Sequence, residues 1–362
     1  MRFSGRAVVI LFAACCLACA LCGCGRSVYG SPDIAPHLIS AEEAEGSPVR
    51  VIDGWEGAEL TATDYRARVD ELYSVVVYDR KRPVFAQDDP VKGVYDSAVS
   101  VLDRYILNSW HGNADGEYNT VHAIHDWLAC SITYDFALYA SFQAGNIDLG
   151  NNPAFFIDGV FLNGVAVCDG LARAFDFLCA IEGIESVRVT GSFSASLHAW
   201  NKVKVGGQWY NVDVTSDSAY YNVDGKYQKQ LSHGYFMLSD KTISEFAPNG
   251  HVFSDPPFVA YNDFDYYSDM TVTIGKEFSV VVKSEDELYD IFTAVNDSDG
   301  AVGKIELKLD FGGKIMVNHA DMYEREIRRA YSLVDNPDFA FGSGVKPYFR
   351  YPNGVYLFLI YR

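Results

Sequence analysis

Two consecutive glycines, Gly206-Gly207, separate two stretches of strand-forming residues, Leu197 to Val205 and Gln208 to Thr215, and such a two-residue loop is a strong hairpin signal. With the loop length set, the register follows by counting. Val205 stands opposite Gln208, Val203 opposite Tyr210, and Trp200 opposite Asp213. Side chains alternate between the two faces of a strand. One face therefore gathers Ala199, Asn201, Val203, Val205, Tyr210, Val212 and Val214, mostly core material. The other gathers His198, Trp200, Lys202, Lys204, Trp209, Asn211, Asp213 and Thr215. On it His198 and Asp213 are diagonal neighbours, with Cβ atoms about 7–8 Å apart or somewhat less, within bridging distance for an imidazole and a carboxylate. A three-residue loop would place them on opposite faces.

Upstream, Cys168 to Glu182 carries Leu171, Ala174, Phe175, Leu178 and Ile181 at helical spacing, and Gly183 follows as a C-terminal cap. Cys168 opens this helix. The unpaired N–H groups and partial positive charge of a helix N-terminus favour a thiolate, and the same N–H groups suit an oxyanion forming on a carbonyl substrate. A thiolate that attacks, an imidazole that shuttles protons and a carboxylate that fixes the imidazole tautomer make up a nucleophilic triad.

Three runs then carry a family resemblance: Val165-Ala166-Val167-Cys168-Asp169-Gly170-Leu171-Ala172, Leu197-His198-Ala199-Trp200-Asn201, and Trp209-Tyr210-Asn211-Val212-Asp213-Val214-Thr215. Together with His125-Asp126-Trp127-Leu128 upstream and Tyr235-Phe236 and Ser239-Asp240 downstream, they resemble the transglutaminase-like superfamily over roughly residues 118–240. The resemblance implies an α+β, papain-like core in which the cysteine helix packs on an antiparallel sheet bearing the histidine and the aspartate. It implies Cys168 as nucleophile, His198 as general base and acid, and Asp213 as the orienting acid. Relatives usually carry an aromatic residue where this chain has Leu171, and commonly Trp where it has Ser216. Neither position belongs to the triad; both bear on the substrate cleft, for which Trp200, Trp209 and Asp169 are further candidates.

The remaining sequence sets the context. Arg2 and Arg6 precede an apolar run, Ala7 to Cys22, that is short for a bilayer span of about 20 residues and suits a secretory signal. Its end, Leu21-Cys22-Gly23-Cys24, resembles a bacterial lipobox, with Cys24 the expected lipid attachment point; plain secretion is the alternative. Five of the eight cysteines fall in this segment, leaving Cys130, Cys168 and Cys179, too few for a disulfide scaffold. The expected organisation is a signal over 1–24, a tether rich in Ser, Pro and Gly over 25–49, a transglutaminase-like domain with a helical lead-in over 50–262, and a small α/β domain over 263–362. A net charge of −19 argues against nucleic acid as partner and against anionic lipid beyond the anchor. Cys130, His122 and His125 lack further ligands at metal spacing, so no metal or cofactor is expected. His233 and His251 read as isolated loop residues, and Asp217, Asp224, Asp263 and Asp265 as solvated acids. The expected activity is an exported cysteine enzyme acting on an amide carbonyl in a protein, peptide or cell-wall peptide; the alternative is a non-catalytic surface module that keeps the fold.

Overall fold

The computed structural model describes residues 50–106, 114–145, 151–223, 226–245, 250–254, 259, 260, 262, 265 and 266, and four strands between 277 and 360. The expected signal and tether, with Cys24, lie outside these residues, as do Asp224, Asp263 and the stretches 285–295 and 320–333, whose sequence reads as helical. No described helix is long and apolar enough to cross a membrane.

Five helices lead up to and include the cysteine: α1 (Tyr65–Val77), α2 (Lys92–Tyr105), α3 (Ala114–Ser131), α4 (Phe136–Gln143) and α5 (Cys168–Ile181). The spacing in α5 predicts one apolar face, yet every residue except Asp169 and Arg173 is buried, the mark of a helix packed on all sides. Leu72, Val76, Leu102, Ile124 and Leu128 of the first three helices cover it on one side, and Val203, Val205 and Val212 of the sheet on the other. At its end Gly183 takes φ +80°, and a Cβ there would meet the Val51 side chain at 2.9 Å, so conformation and space both require glycine. Beside this cap the buried Arg50 guanidinium pairs with Glu182 and Asp103, tying the first described residue to the back of α5.

Short parallel pairs join β1 (Gly57–Glu59) to β2 (Arg82–Val84) and β3 (Thr133–Tyr134) to β4 (Val165–Ala166). The main sheet comprises β5 (Ser186–Phe193), β6 (Ser196–Val205), β7 (Gln208–Val212) and, after the hairpin β8 (Ser218–Val223)–β9 (Lys226–Leu231), β10 (His251–Phe253). Its order is β10-β5-β6-β7, antiparallel throughout. The β6–β7 ladder pairs Val205 with Gln208 and Val203 with Tyr210, the counted register, and both loop glycines have positive φ (58° and 79°). The fold is α+β, a cysteine-bearing helix packed on an antiparallel sheet. Asn201 locks the two layers by donating Nδ2–H to Ala172 O (2.9 Å) and to Asp176 Oδ1 (2.8 Å).

Three expectations are corrected. Helical spacing from Thr120 to Tyr134 after Asn119, a residue suited to capping, suggests a helix start at Thr120, but α3 begins at Ala114; Asn119 lies inside it, and Glu117 reaches the hairpin loop to accept from Gly206 N–H at 2.7 Å. The strand expected to reach Thr215 stops at Val212, because Asp213 caps a helical turn, Val214–Asp217 (α6), by accepting from Ser216 N–H. The sheet face on which Trp200 is a cleft candidate is covered as well. Lys202, 2% exposed, donates to both Asp240 oxygens at 2.8 Å at the start of α7 (Asp240–Glu245), and Trp200 packs with Tyr235, Leu238 and Ile243.

A second sheet, order β11-β12-β14-β13, contains β11 (Glu277–Val282), β12 (Lys304–Asp310), β13 (Tyr348–Tyr351) and β14 (Gly354–Ile360). The first pair is parallel and the other two are antiparallel. The sequence reads as strand over Phe278 to Val282, Lys304 to Leu309 and Gly354 to Tyr361, in agreement with β11, β12 and β14, whereas β13 has no such reading.

Candidate active site

Cys168 is the first residue of α5, after an extended Val167 that provides no side-chain cap. The helix start is held from below: Val167 N–H donates to Ala154 O at 2.9 Å, and a Cβ on Gly170 would lie 2.3 Å from that same oxygen. Only glycine allows this approach. The thiol is free, 7% exposed, and packs with Ala172, Ala199 and Tyr134.

His198 stands on β6, level with the point where β7 has ended and the chain turns into α6. Its Nε2 meets Asp213 Oδ2 at 2.7 Å, and the Cys168 thiol lies close enough to its ring to help raise its pKa. Because Asp213 occupies Nε2, Nδ1 is the nitrogen left to face sulfur. Burial works to lower the His198 pKa, but the Asp213 carboxylate and then Cys168 outweigh it and raise it to about 10. Asp213 is fully buried; burial opposes its charge, yet His198 and His251 hold its carboxyl well below the usual range. The structure thus brings the three expected triad residues into one chain of contacts.

Several site residues were not legible as such. His251 Nε2 lies 2.8 Å from the same Asp213 oxygen; burial lowers its pKa, so it is a neutral donor, and its buried Nδ1 has no partner. Far from being an isolated loop residue, it is 1% exposed and stacks on Phe193 at 4.7 Å. Ser216 donates Oγ–H to Asp213 Oδ2 at 2.5 Å, so this departure from the family pattern touches the triad directly. Tyr134 is delivered by the β3–β4 pair and packs against Cys168, its phenol beside the thiol and the start of α5. Burial pushes the Tyr134 pKa up, so the group is an O–H donor. Tyr139, on α4, donates to Leu197 O at 3.2 Å across the same opening.

The expected cleft residues lie elsewhere. Trp200 is buried behind His198, its Nε1–H donating to Asn211 Oδ1 at 3.1 Å. Trp209 pairs with Lys204, roughly 20 Å along β6 from His198 at strand rise, where it takes the Lys204 ammonium over its ring and lines an open hollow of about 450 Å³ with Tyr78 and Arg80. Asp169 is held by Arg173 (3.1 Å) and Arg188 (2.5 Å). Cys179 is buried and its pKa lies well above the usual thiol value, again through burial.

His233, Asp217 and Asp265, expected in solvent, are all buried. Asp217 accepts from Ser232 Oγ–H (2.7 Å) and Tyr235 N–H (3.0 Å), and Asp265 accepts from Ser239 N–H (2.8 Å).

The model of the Transglutaminase-like superfamily matches residues 104–214, a segment that contains Cys168, His198 and Asp213. That segment is transglutaminase-like. Kyphoscoliosis peptidase of Homo sapiens is 26% identical over 170 residues, covering 43% of this chain and 23% of that protein. The Mus musculus protein of the same name is 25% identical over 142 residues, covering 36% and 20%. The chain therefore spans about a fifth to a quarter of the length of these curated relatives. A solved structure, a TGase, covers 45% of this chain and 41% of its own at 15% identity with a TM-score of 0.31, too slight a likeness to carry an argument.

Proposed function

We propose that this protein is an exported cysteine enzyme that acts on an amide or peptide carbonyl through a thioester on Cys168. The observation that carries the reading is the run of contacts from the Cys168 thiol through the His198 ring to Asp213, closed by the 2.7 Å bond. The proton that left sulfur rests on His198, in line with the raised pKa of that ring, as sulfur attacks the carbonyl carbon. Negative charge gathers on the carbonyl oxygen, where the Cys168 N–H and the Tyr134 O–H are the donors at hand. Collapse breaks the C–N bond, and His198 passes its proton to the departing amine. Water then attacks the thioester, giving a proton to His198, which returns it to sulfur as the acid leaves. A primary amine in place of water yields a new amide. Asp213 keeps the imidazole in the tautomer and orientation both halves need.

The substrate class proposed is protein, peptide or cell-wall peptide. Water is the favoured acceptor, since the curated relatives are named peptidases and an exported site faces bulk water. Export with lipid attachment at Cys24 rests on the basic start, the apolar run and Leu21-Cys22-Gly23-Cys24.

Wild-type protein and Cys168→Ala should be incubated with peptides and cell-wall fragments, with and without a primary amine, and followed by mass spectrometry. Cleavage or loss of ammonia is expected in the wild type alone. An alkylating probe should label Cys168 at neutral pH, more slowly in His198→Ala. No product beyond the Cys168→Ala control, with labelling indifferent to His198, would leave a non-catalytic surface module.

A further inference from the structure

A second constellation of histidine and carboxylate lies on α3, outside the triad. His122 and Asp126 are four residues apart and face the same way, with Nδ1 and Oδ2 3.4 Å apart. His233 arrives from the segment after β9 and puts Nε2 2.8 Å from Asp126 Oδ1. One ligand atom from each of the three lies within 4.8 Å of the others. Sequence spacing conceals this group, because Asp126 and His233 are 107 positions apart.

We propose that His122, Asp126 and His233 form a site for one divalent transition-metal ion of the zinc class, with water as the fourth ligand. Bonds of about 2.0–2.1 Å in tetrahedral array set ligand atoms roughly 3.3 Å apart. The separations of 3.4 and 2.8 Å lie on either side of that value but run to different oxygens of Asp126, so binding needs the carboxylate to turn one oxygen between the two rings and the rings, stacked at 4.6 Å, to tilt towards the ion. Two imidazoles and one carboxylate form the donor set that borderline divalent ions prefer, whereas calcium and magnesium take oxygen. The support behind the ligands is also that of a metal site, where outer partners orient the inner ones. Fully buried His125 sets Nδ1 2.8 Å from Asp126 Oδ1 and Nε2 3.1 Å from Asp217 Oδ2. Asp217 is fixed in turn by Ser232 and Tyr235. Phe236 forms an apolar wall against the His122 and His233 rings at 5.3 and 5.7 Å. The Asp126 side chain is 24% exposed, which gives an ion a way in and leaves room for its water.

The ion's role would be to clamp α3 to the segment 232–236. That segment supports the triad from behind, since Asp213 N–H donates to Tyr235 O at 3.0 Å.

The test uses the full chain, stripped with chelator and titrated with zinc by calorimetry, with metal content measured after dialysis and the thermal midpoint recorded. One zinc per chain is expected, with a raised midpoint and tetrahedral absorption on cobalt substitution. Affinity should fall by at least about tenfold in His122→Ala and His233→Ala and stay unchanged in His198→Ala. His122→Gln provides a milder change, and circular dichroism verifies that each variant is folded. Equal zinc binding by wild type and the His122→Gln, His233→Ala double variant would overturn the proposal. So would binding lost only in His198→Ala, which would move the ion to the His198, Asp213 and His251 group.

Discussion

Asp213 Oδ2 accepts from three side chains, His198, His251 and Ser216, and each bond has a separable consequence. His198 binds its proton more tightly in the fold, at a pKa of about 10, than at its ordinary 6.5. The stability this contributes is complete below pH 6.5 and is lost as pH rises through about 10. In urea titrations the gap between wild type and His198→Gln should be widest on the acid side of that window and narrow across it; a gap constant with pH would contradict the assignment. A hydrogen bond to a buried charge is worth about 1.5–3 kcal/mol, the cost expected for Ser216→Ala by denaturant titration. His251→Ala should cost more, because it also opens space among Phe193, Trp200 and Tyr235. The pairing of His198 with Asp213 was legible because hairpin register is local arithmetic. His251 was not: 38 residues separate it from Asp213, and only the β5–β10 pairing brings it back.

The element that matters most is the start of α5, which rests on the Ala154 carbonyl. Gly170→Ala places a methyl group against backbone oxygen, and overpacking of this kind costs about 1–3 kcal/mol. Its thermal midpoint should drop, and labelling of Cys168 should change with it. The β5–β6 turn is a second point of tension, since Ser194 and Ala195 both hold positive φ (51° and 62°). Left-handed backbone costs a non-glycine residue roughly 1–2 kcal/mol. The pair Ser194→Asn, Ala195→Gly fits such a turn and should stabilise the domain by about that much. Apolar spacing located α5 and the strands well, because burial imposes their periods. It misplaced the start of α3, where Asn119 has the chemistry of a cap but sits inside the helix. It also extended β7 too far, because Asp213 stands at the switch from strand to helical turn.

For the molecule as a whole, the sequence suggested that the transglutaminase-like domain ends at residue 262. Asp265 and Tyr266 nevertheless belong to its packing. Tyr266 stacks on Tyr118 at 4.7 Å and donates its N–H to Met237 O, while Asp265 accepts from Ser239 N–H. A chain ending at Tyr266 should therefore melt higher than one ending at Asn262, by several degrees for the roughly 2 kcal/mol at stake; equal midpoints would restore the earlier boundary. The composition shift near Asp263 marked the region but not the residue, since aromatic stacking across 148 positions has no local signature. At the other end, Arg50 pairs with Glu182 and Asp103 at the tail of α5. Any pull transmitted along the chain ahead of Arg50 therefore enters the fold at the end of that helix farthest from sulfur, about 21 Å away along its axis. Were the segment ahead of Arg50 pulled, the load would be borne at the helix tail, with the thiol at the opposite end.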